Sequence, residues 1–212
     1  KLIHLGQHIS SHALSFFHLS APDLLLGYDS DPANRNILGF AAKFPDIALR
    51  GIRLRKFGQE ISERITGKKI HTSGIVPGGM TVLLTAENRK ALLEWIPEAL
   101  ETVKLGIGII KNFQEENVDM VKSFAISPSH YLGTVGKDGE HEVYDGKLRF
   151  VDRDGNILQD QLDPARYLDF IAERSVNWSY LTYPYYKPLG YENGIYRVGP
   201  LARLNNATRM KT

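Results

Sequence analysis

The chemistry open to this chain begins with its histidines and with the ligand type it lacks. His71 stands in Gly67-Lys68-Lys69-Ile70-His71-Thr72-Ser73-Gly74-Ile75-Val76-Pro77-Gly78-Gly79, a basic run leading into a polar turn. Glycine permits positive φ and close backbone approach, while Pro77 fixes one φ and removes a donor. An imidazole carried on such a loop can bond a ligand, a cofactor or a neighbouring protein. The plainer reading is a helix C-cap followed by a tight turn. A second set, His4, His8 and His12, recurs every fourth residue, with His18 beyond it. Two histidines one turn apart can ligate zinc, which needs three or four ligands in all. No acidic residue nearby completes that set, and Leu2, Leu5, Ile9, Leu14, Phe16, Phe17 and Leu19 mark a packing helix. The chain has no cysteine. Disulfides, thiolate metal sites and cysteine nucleophiles therefore cannot be built from it.

These side chains must be positioned by elements that the pattern makes legible. Leu2 to Leu19 reads as a helix, and Pro22 suits the first position of another. Asp31-Pro32 gives the same signal for a helix through Phe44, with Asp31 as cap. Pro45 opens a long helix to about Ile65, which Gly67 can end. Met80 to Leu84 is a short apolar stretch. Thr85 then caps a helix that continues past Pro97 to about Phe113, with Asn88 where a capping box prefers Glu or Gln. From Tyr131 the period changes to two. Tyr131–Val135, Glu142–Tyr144 and Lys147–Val151 alternate like strands, and Asp152-Arg153-Asp154-Gly155-Asn156 before Ile157-Leu158 is a strong hairpin signal. Asp163-Pro164 predicts a helix to about Ser175, and Trp178 to Asn205 reads as irregular and aromatic-rich, with a short strand at Gly194 to Val198. The expected class is α+β: a mainly helical body over 1–125, a small antiparallel β insert at about 131–160, and a helix with an irregular segment over 161–212.

Composition bounds the partners. At 212 residues, 42% hydrophobic, 24% charged and net charge +2, the chain is ordinary for a globular protein and gives no general case for nucleic acid. No apolar run reaches the length of about 20 residues that spans a bilayer, so no membrane span is expected. No leader is visible, and both ends look cut from something longer. Arg50 to Lys69 concentrates basic residues, which suit a solvated helix face or an acidic partner.

Three separated segments resemble the large subunit of nickel–iron hydrogenases, in the cytosolic, cofactor-coupled branch. His12-Ala13-Leu14-Ser15-Phe16-Phe17-His18-Leu19-Ser20-Ala21-Pro22-Asp23 is similar to that family's helix of spaced histidines ending in Asp. The loop with His71 and Pro77-Gly78-Gly79 is similar to a second motif. Tyr183-Pro184-Tyr185-Tyr186-Lys187-Pro188-Leu189-Gly190, followed by Tyr196-Arg197-Val198-Gly199-Pro200-Leu201-Ala202-Arg203-Leu204-Asn205, resembles a third. The resemblance implies reversible H2 oxidation at a nickel–iron centre. It also implies that electrons pass to an iron–sulfur small subunit, then to diaphorase-type subunits.

The family holds its metals with two C-x-x-C pairs, and neither is present here. The resemblance therefore covers the middle of such a subunit, in a fragment without a cofactor of its own. It places His71 beside the small subunit's proximal iron–sulfur cluster, with Pro77, Gly78 and Gly79 shaping that loop. Where the family has Pro after this histidine, the chain has Thr72. His12, His18, Asp23 and Arg203 take structural or interface roles. Two alternatives stand beside this one: the related subunit of respiratory complex I, which also lacks nickel ligands, and a non-enzymatic interaction domain.

Overall fold

The structure, a computed structural model, describes residues 1–210. They form two compact units, Lys1–Phe124 and a second from Ala125 onward. The first is helical and the second carries most of the strands, as the α+β expectation required.

In the first unit α1 (Leu2–Ala13) does not stop near Leu19. It widens into a π-helical segment over Leu14–Ser20 and continues as α2 (Ala21–Leu26). Pro22 supplies the reason. It has no N–H, and its ring crowds the carbonyl four residues back. The Ala21 N–H accordingly reaches the Phe16 carbonyl, five residues back.

The helix expected from Pro32 begins later, as α3 (Ile37–Lys43). Asp31 is spent on a local turn, accepting the Ala33 N–H at 2.9 Å, and Asn36 is the cap, accepting from Leu38 and Gly39. α4 spans Pro45–Thr66, and Gly67 ends it in the left-handed region at φ 75°.

Gly51, Leu54, Gly58, Ile61 and Ile65 are buried at alternating steps of three and four, the spacing of a helix–helix seam. Glycine is required there because the partner helix is too close for a side chain. A Cβ on Gly58 would lie 2.5 Å from the Gly6 carbonyl oxygen of α1 and 2.6 Å from the Ser10 nitrogen. At the other end a Cβ on Gly51 would lie 2.4 Å from that of Phe17. α1 and α4 therefore run antiparallel at backbone contact.

The two-residue strands β1 (Ile75–Val76) and β2 (Gly79–Met80) follow, then α5 (Ala86–Glu116) and the short α6 (Val118–Ser123). Phe57, Ile61, Ile65 and Leu92 form the core between α4 and α5, joined by Ile3, Met80, Leu84 and Trp95. Three basic residues of α4 and the loop after it are used inside the unit. Arg53 makes a two-pronged bond to Glu98 of α5 and lies over the Trp95 ring, Arg64 pairs with Glu60, and Lys69 pairs with Glu63.

The second unit is built on β3 (His130–Val135), β4 (Lys147–Val151) and β5 (Ile157–Leu162), joined antiparallel. A 3-10 turn at Pro164–Asp169 precedes β6 (Ile171–Val176) and β7 (Ser179–Tyr186), which pair only with each other in this unit's second sheet. The helix expected through Ser175 is thus a short 3-10 segment, kinked at Arg166, followed by a strand. Asp163 does cap that turn, accepting the Ala165 N–H at 3.2 Å. The start of the segment read as irregular, Ser179–Tyr186, is half of a hairpin, with Arg174 opposite Tyr183 and Glu173 opposite Pro184.

After a 3-10 turn at Lys187–Leu189 and α7 (Gly190–Asn193), β8 (Tyr196–Arg197) adds to the first sheet parallel to β3, beside its antiparallel neighbours. α8 (Pro200–Asn206) closes the unit. Phe150, Tyr186 and Leu132 are its apolar centre.

Candidate functional site

The His71 loop is an excursion between two helices whose ends are tied together. Asn88, in the first turn of α5, does not act as a capping-box acid. Its side chain donates to the Arg64 carbonyl at 3.0 Å and accepts from the Arg64 guanidinium at 3.2 Å, clamping the start of α5 to the end of α4. Thr85 is the cap, accepting the Asn88 N–H at 3.1 Å.

Between these anchors, Val76-Pro77-Gly78-Gly79 makes the tight turn of the β1–β2 hairpin. Proline stands at its second position and glycine, at φ 92°, at its third, the arrangement of a type II turn. The Thr81 N–H donates to the Gly74 carbonyl at 2.8 Å and closes the base of the hairpin.

His71 lies on the approach to this hairpin. It is exposed, and at φ 51° it occupies the left-handed region, unfavourable by about 1 kcal/mol for a residue with a Cβ. In the same stretch of chain Ile70, Ile75, Val76, Val82 and Leu83 are all exposed. An exposed imidazole on a loop rich in exposed aliphatics suits a covered contact better than a solvated turn.

The other histidines lie elsewhere. His12 is exposed on α1 and its Nδ1–H donates to the His8 carbonyl at 2.7 Å, while His4 and His8 approach at 3.1 Å between their Nε2 atoms. His18 is on the π-helical segment, half-buried. Burial holds its imidazole below the usual histidine range; the Ala13 backbone opposes this and the Arg55 charge adds to it. Asp23 pairs with Arg35 at 3.2 Å and so holds the chain between α2 and α3.

Because α1 and α4 are antiparallel, the His71 loop and His18 are at opposite ends of the pair. At 1.5 Å per residue, about 20 Å of helix separates Ile3, which packs beside Met80 and Leu84, from His18. These residues do not converge on one site. Arg203 belongs to the other unit, on α8, where its charge helps hold His141 below the usual histidine range after burial, the larger cause.

Among the described residues no three histidine, aspartate or glutamate side chains are grouped to hold a metal ion. With no cysteine in the sequence, the residues present do not fit a thiolate-held nickel–iron centre. No described helix is long and apolar enough to cross a membrane.

Two features were missed by reading local motifs. Arg149 of β4, nearly fully buried, grips Asp160 of β5 at 2.9 and 2.6 Å and donates to the Asn206 carbonyl at the end of α8 at 3.1 Å. The other is an open apolar stripe along α5, whose heptad spacing is present in the sequence.

The relatives that this chain matches are hydrogenase subunits. No protein-family model matches it. It is 45% identical to a subunit of the vhu F420-non-reducing hydrogenase of Methanocaldococcus jannaschii, over 212 residues, 100% of this chain and 50% of the relative. Identity to the beta subunit of the NAD-reducing hydrogenase HoxS of Cupriavidus necator is 35%, over 100% of this chain and 44% of that protein. A crystal structure of an NAD+-reducing [NiFe]-hydrogenase in the H2-reduced state superposes with a TM-score of 0.95 and 41% identity, covering 100% of this chain and 47% of that one. The chain thus spans about half the length of the relatives it matches.

Proposed function

We propose that these residues are the central part of the large subunit of a cytoplasmic nickel–iron hydrogenase of the cofactor-coupled branch. In this reading the whole enzyme oxidises H2 reversibly and passes the electrons to an iron–sulfur small subunit, with diaphorase-type subunits further along. The observation that carries it is the likeness over the whole chain, at a TM-score of 0.95, to an NAD+-reducing [NiFe]-hydrogenase. The thiolates for the metals come from parts of the subunit outside these residues, so this piece holds no nickel and is inactive by itself.

The chain's own contribution is then scaffold and interface. His71 faces the small subunit's cluster, where an imidazole N–H can donate to a cluster sulfur and tune its potential. The Pro77–Gly79 turn and the surrounding aliphatics support this, since they form an exposed apolar surface of the kind a partner covers. His12, His18, Asp23 and Arg203 maintain the structure and its contacts.

The test is to produce the full-length large subunit together with the small one, then measure bound nickel and H2-dependent dye reduction. Nickel together with dye reduction is the expected result. A well-assembled complex with neither overturns the reading.

A further inference from the structure

Glycine directly follows asparagine or aspartate at four places: Asp138-Gly139, Asp145-Gly146, Asp154-Gly155 and Asn193-Gly194. Such a pair can close on itself, because glycine has no Cβ to shield its own amide nitrogen. That nitrogen attacks the carbonyl carbon of the preceding side chain, ammonia or water leaves, and a cyclic imide forms. Water then opens the ring at either carbonyl, giving aspartate or isoaspartate. Sequence alone puts Asn193-Gly194 first, since an amide releases ammonia more readily than a carboxylate gives up an oxygen as water.

The structure reverses that order, because closure needs the joining peptide group to turn and its N–H to come free. Gly194 is buried, and a Cβ there would lie 2.4 Å from the Tyr186 carbonyl oxygen and 2.5 Å from that of Gly190. Its carbonyl accepts the Tyr186 N–H at 2.8 Å, and the Asn193 carbonyl accepts the His130 Nε2–H at 2.8 Å. Gly139 is pinned as well: its N–H donates to the Gly136 carbonyl at 3.1 Å, and its carbonyl accepts the Thr208 N–H at 2.9 Å. A Cβ on Gly146 would lie 2.8 Å from that of Thr134 and 3.1 Å from the Val135 nitrogen. Asp154-Gly155 is open by contrast. Both residues are exposed, the Asp154 side chain is 72% so, and a Cβ on Gly155 would meet nothing within 4 Å. The Asp152 carboxylate holds the flanks, accepting the Asp154 and Asn156 N–H groups at 2.9 and 2.8 Å. The peptide between Asp154 and Gly155 is tied only by the Gly155 N–H, at 3.2 Å from the Asp152 carbonyl oxygen. Exposed loop tips of this kind are where covalent change concentrates.

We infer that Asp154 is the site at which the folded protein converts spontaneously to isoaspartate, and that the product is a substrate for a methyltransferase acting on isoaspartyl groups. Water leaves and water returns, so the conversion changes no atom count. It routes the backbone through the side-chain carbon and leaves an α-carboxylate free on an exposed turn. That carboxylate takes a methyl group from S-adenosylmethionine, whose S–C bond breaks as the ester O–C bond forms. The inference goes beyond the hydrogenase reading and does not depend on it.

The test ages the full-length protein in its assembled complex at neutral pH, below its melting temperature, beside a sample unfolded in urea. Isoaspartate is read by enzymatic methyl transfer from labelled S-adenosylmethionine and located by peptide mapping. In the folded sample the label should accumulate at position 154 while position 193 stays at its starting level; in urea position 193 should lead. The same order in both samples, or no label at 154 by the time the unfolded sample has converted, overturns the inference. Asp154→Glu keeps the charge but disfavours ring closure, so it should remove the folded-state label without moving the melting temperature. Undiminished label in that variant overturns it. Neither nickel nor dye reduction is read, so failure of the hydrogenase reading leaves this result standing.

Discussion

Replacing Asp160 by Asn should destabilise the second unit by about 2–3 kcal/mol, because it leaves a buried guanidinium without its charge partner. The Arg149 side chain is 5% exposed, whereas that of Asp160 is 34% exposed. Removing one member of a fully buried pair costs about 3–5 kcal/mol, and the partial exposure of Asp160 brings the figure toward the lower end. The bond to Asn206 remains, but it satisfies only one arm of the fork. For a domain of this size, 1 kcal/mol moves the melting temperature by about 4–8 °C, so a drop of roughly 8–24 °C is expected.

The pH dependence gives an independent check. Asp160 is held below its ordinary value of 3.8, first by the Arg149 hydrogen bonds, with burial opposing. A depressed folded value means stabilisation that is complete above the unfolded pKa and is lost as pH falls through the folded one. Wild type should therefore shed this contribution below about pH 4, and Asp160→Asn should lack that limb. Thermal unfolding by near-ultraviolet circular dichroism between neutral pH and about pH 2 measures both effects. A variant melting within about 2 °C of wild type at neutral pH, or losing stability in acid with the same profile, would refute the assignment of Arg149 and Asp160 as a buried lock.

Two further outcomes follow from backbone geometry. Gly58→Ala places its methyl against backbone atoms that cannot rotate away, so urea unfolding should show a loss of about 2 kcal/mol or more, whereas Gly108→Ala on α5, with nothing within 4 Å, should gain up to about 1 kcal/mol. Equal effects at the two positions would contradict the close approach of α1 to α4. His71→Gly removes the left-handed penalty and should leave the melting temperature equal or slightly higher, while in the assembled enzyme nickel is retained and H2-dependent electron transfer slows; loss of nickel would assign His71 to folding or maturation instead.

Much of this fold could be read because its signals are local. Gly67 ends α4 through its own φ, Thr85 caps α5 with its own hydroxyl, and Asp152 organises the β4–β5 turn by accepting the Asp154 and Asn156 N–H groups at 2.9 and 2.8 Å. What escaped was decided at a distance. Ile171–Val176 follows a correctly read cap, yet it becomes a strand because Ser179–Tyr186 offers a ladder along it, with the Thr182 hydroxyl also donating to the Glu173 carboxylate at 2.9 Å. The cap of α3 escaped for a different reason: Asp31 and Asn36 are both competent, and only the turn at Asp31 shows which one was left free. The candidate site was legible as a glycine-rich loop with one histidine. Its exposure and that of the loop's aliphatics were not, because burial depends on what the rest of the chain leaves uncovered.

The backbone contact between Gly6 and Gly58 makes the α1–α4 pair a gauge. Helices that meet through side chains can slide by trading one rotamer for another, but two carbonyl-lined ridges with no Cβ between them have a single seating. The distance from the π-helical end to the His71 end is thereby set by helix length alone. Whatever docks at one end finds the other at a constant span.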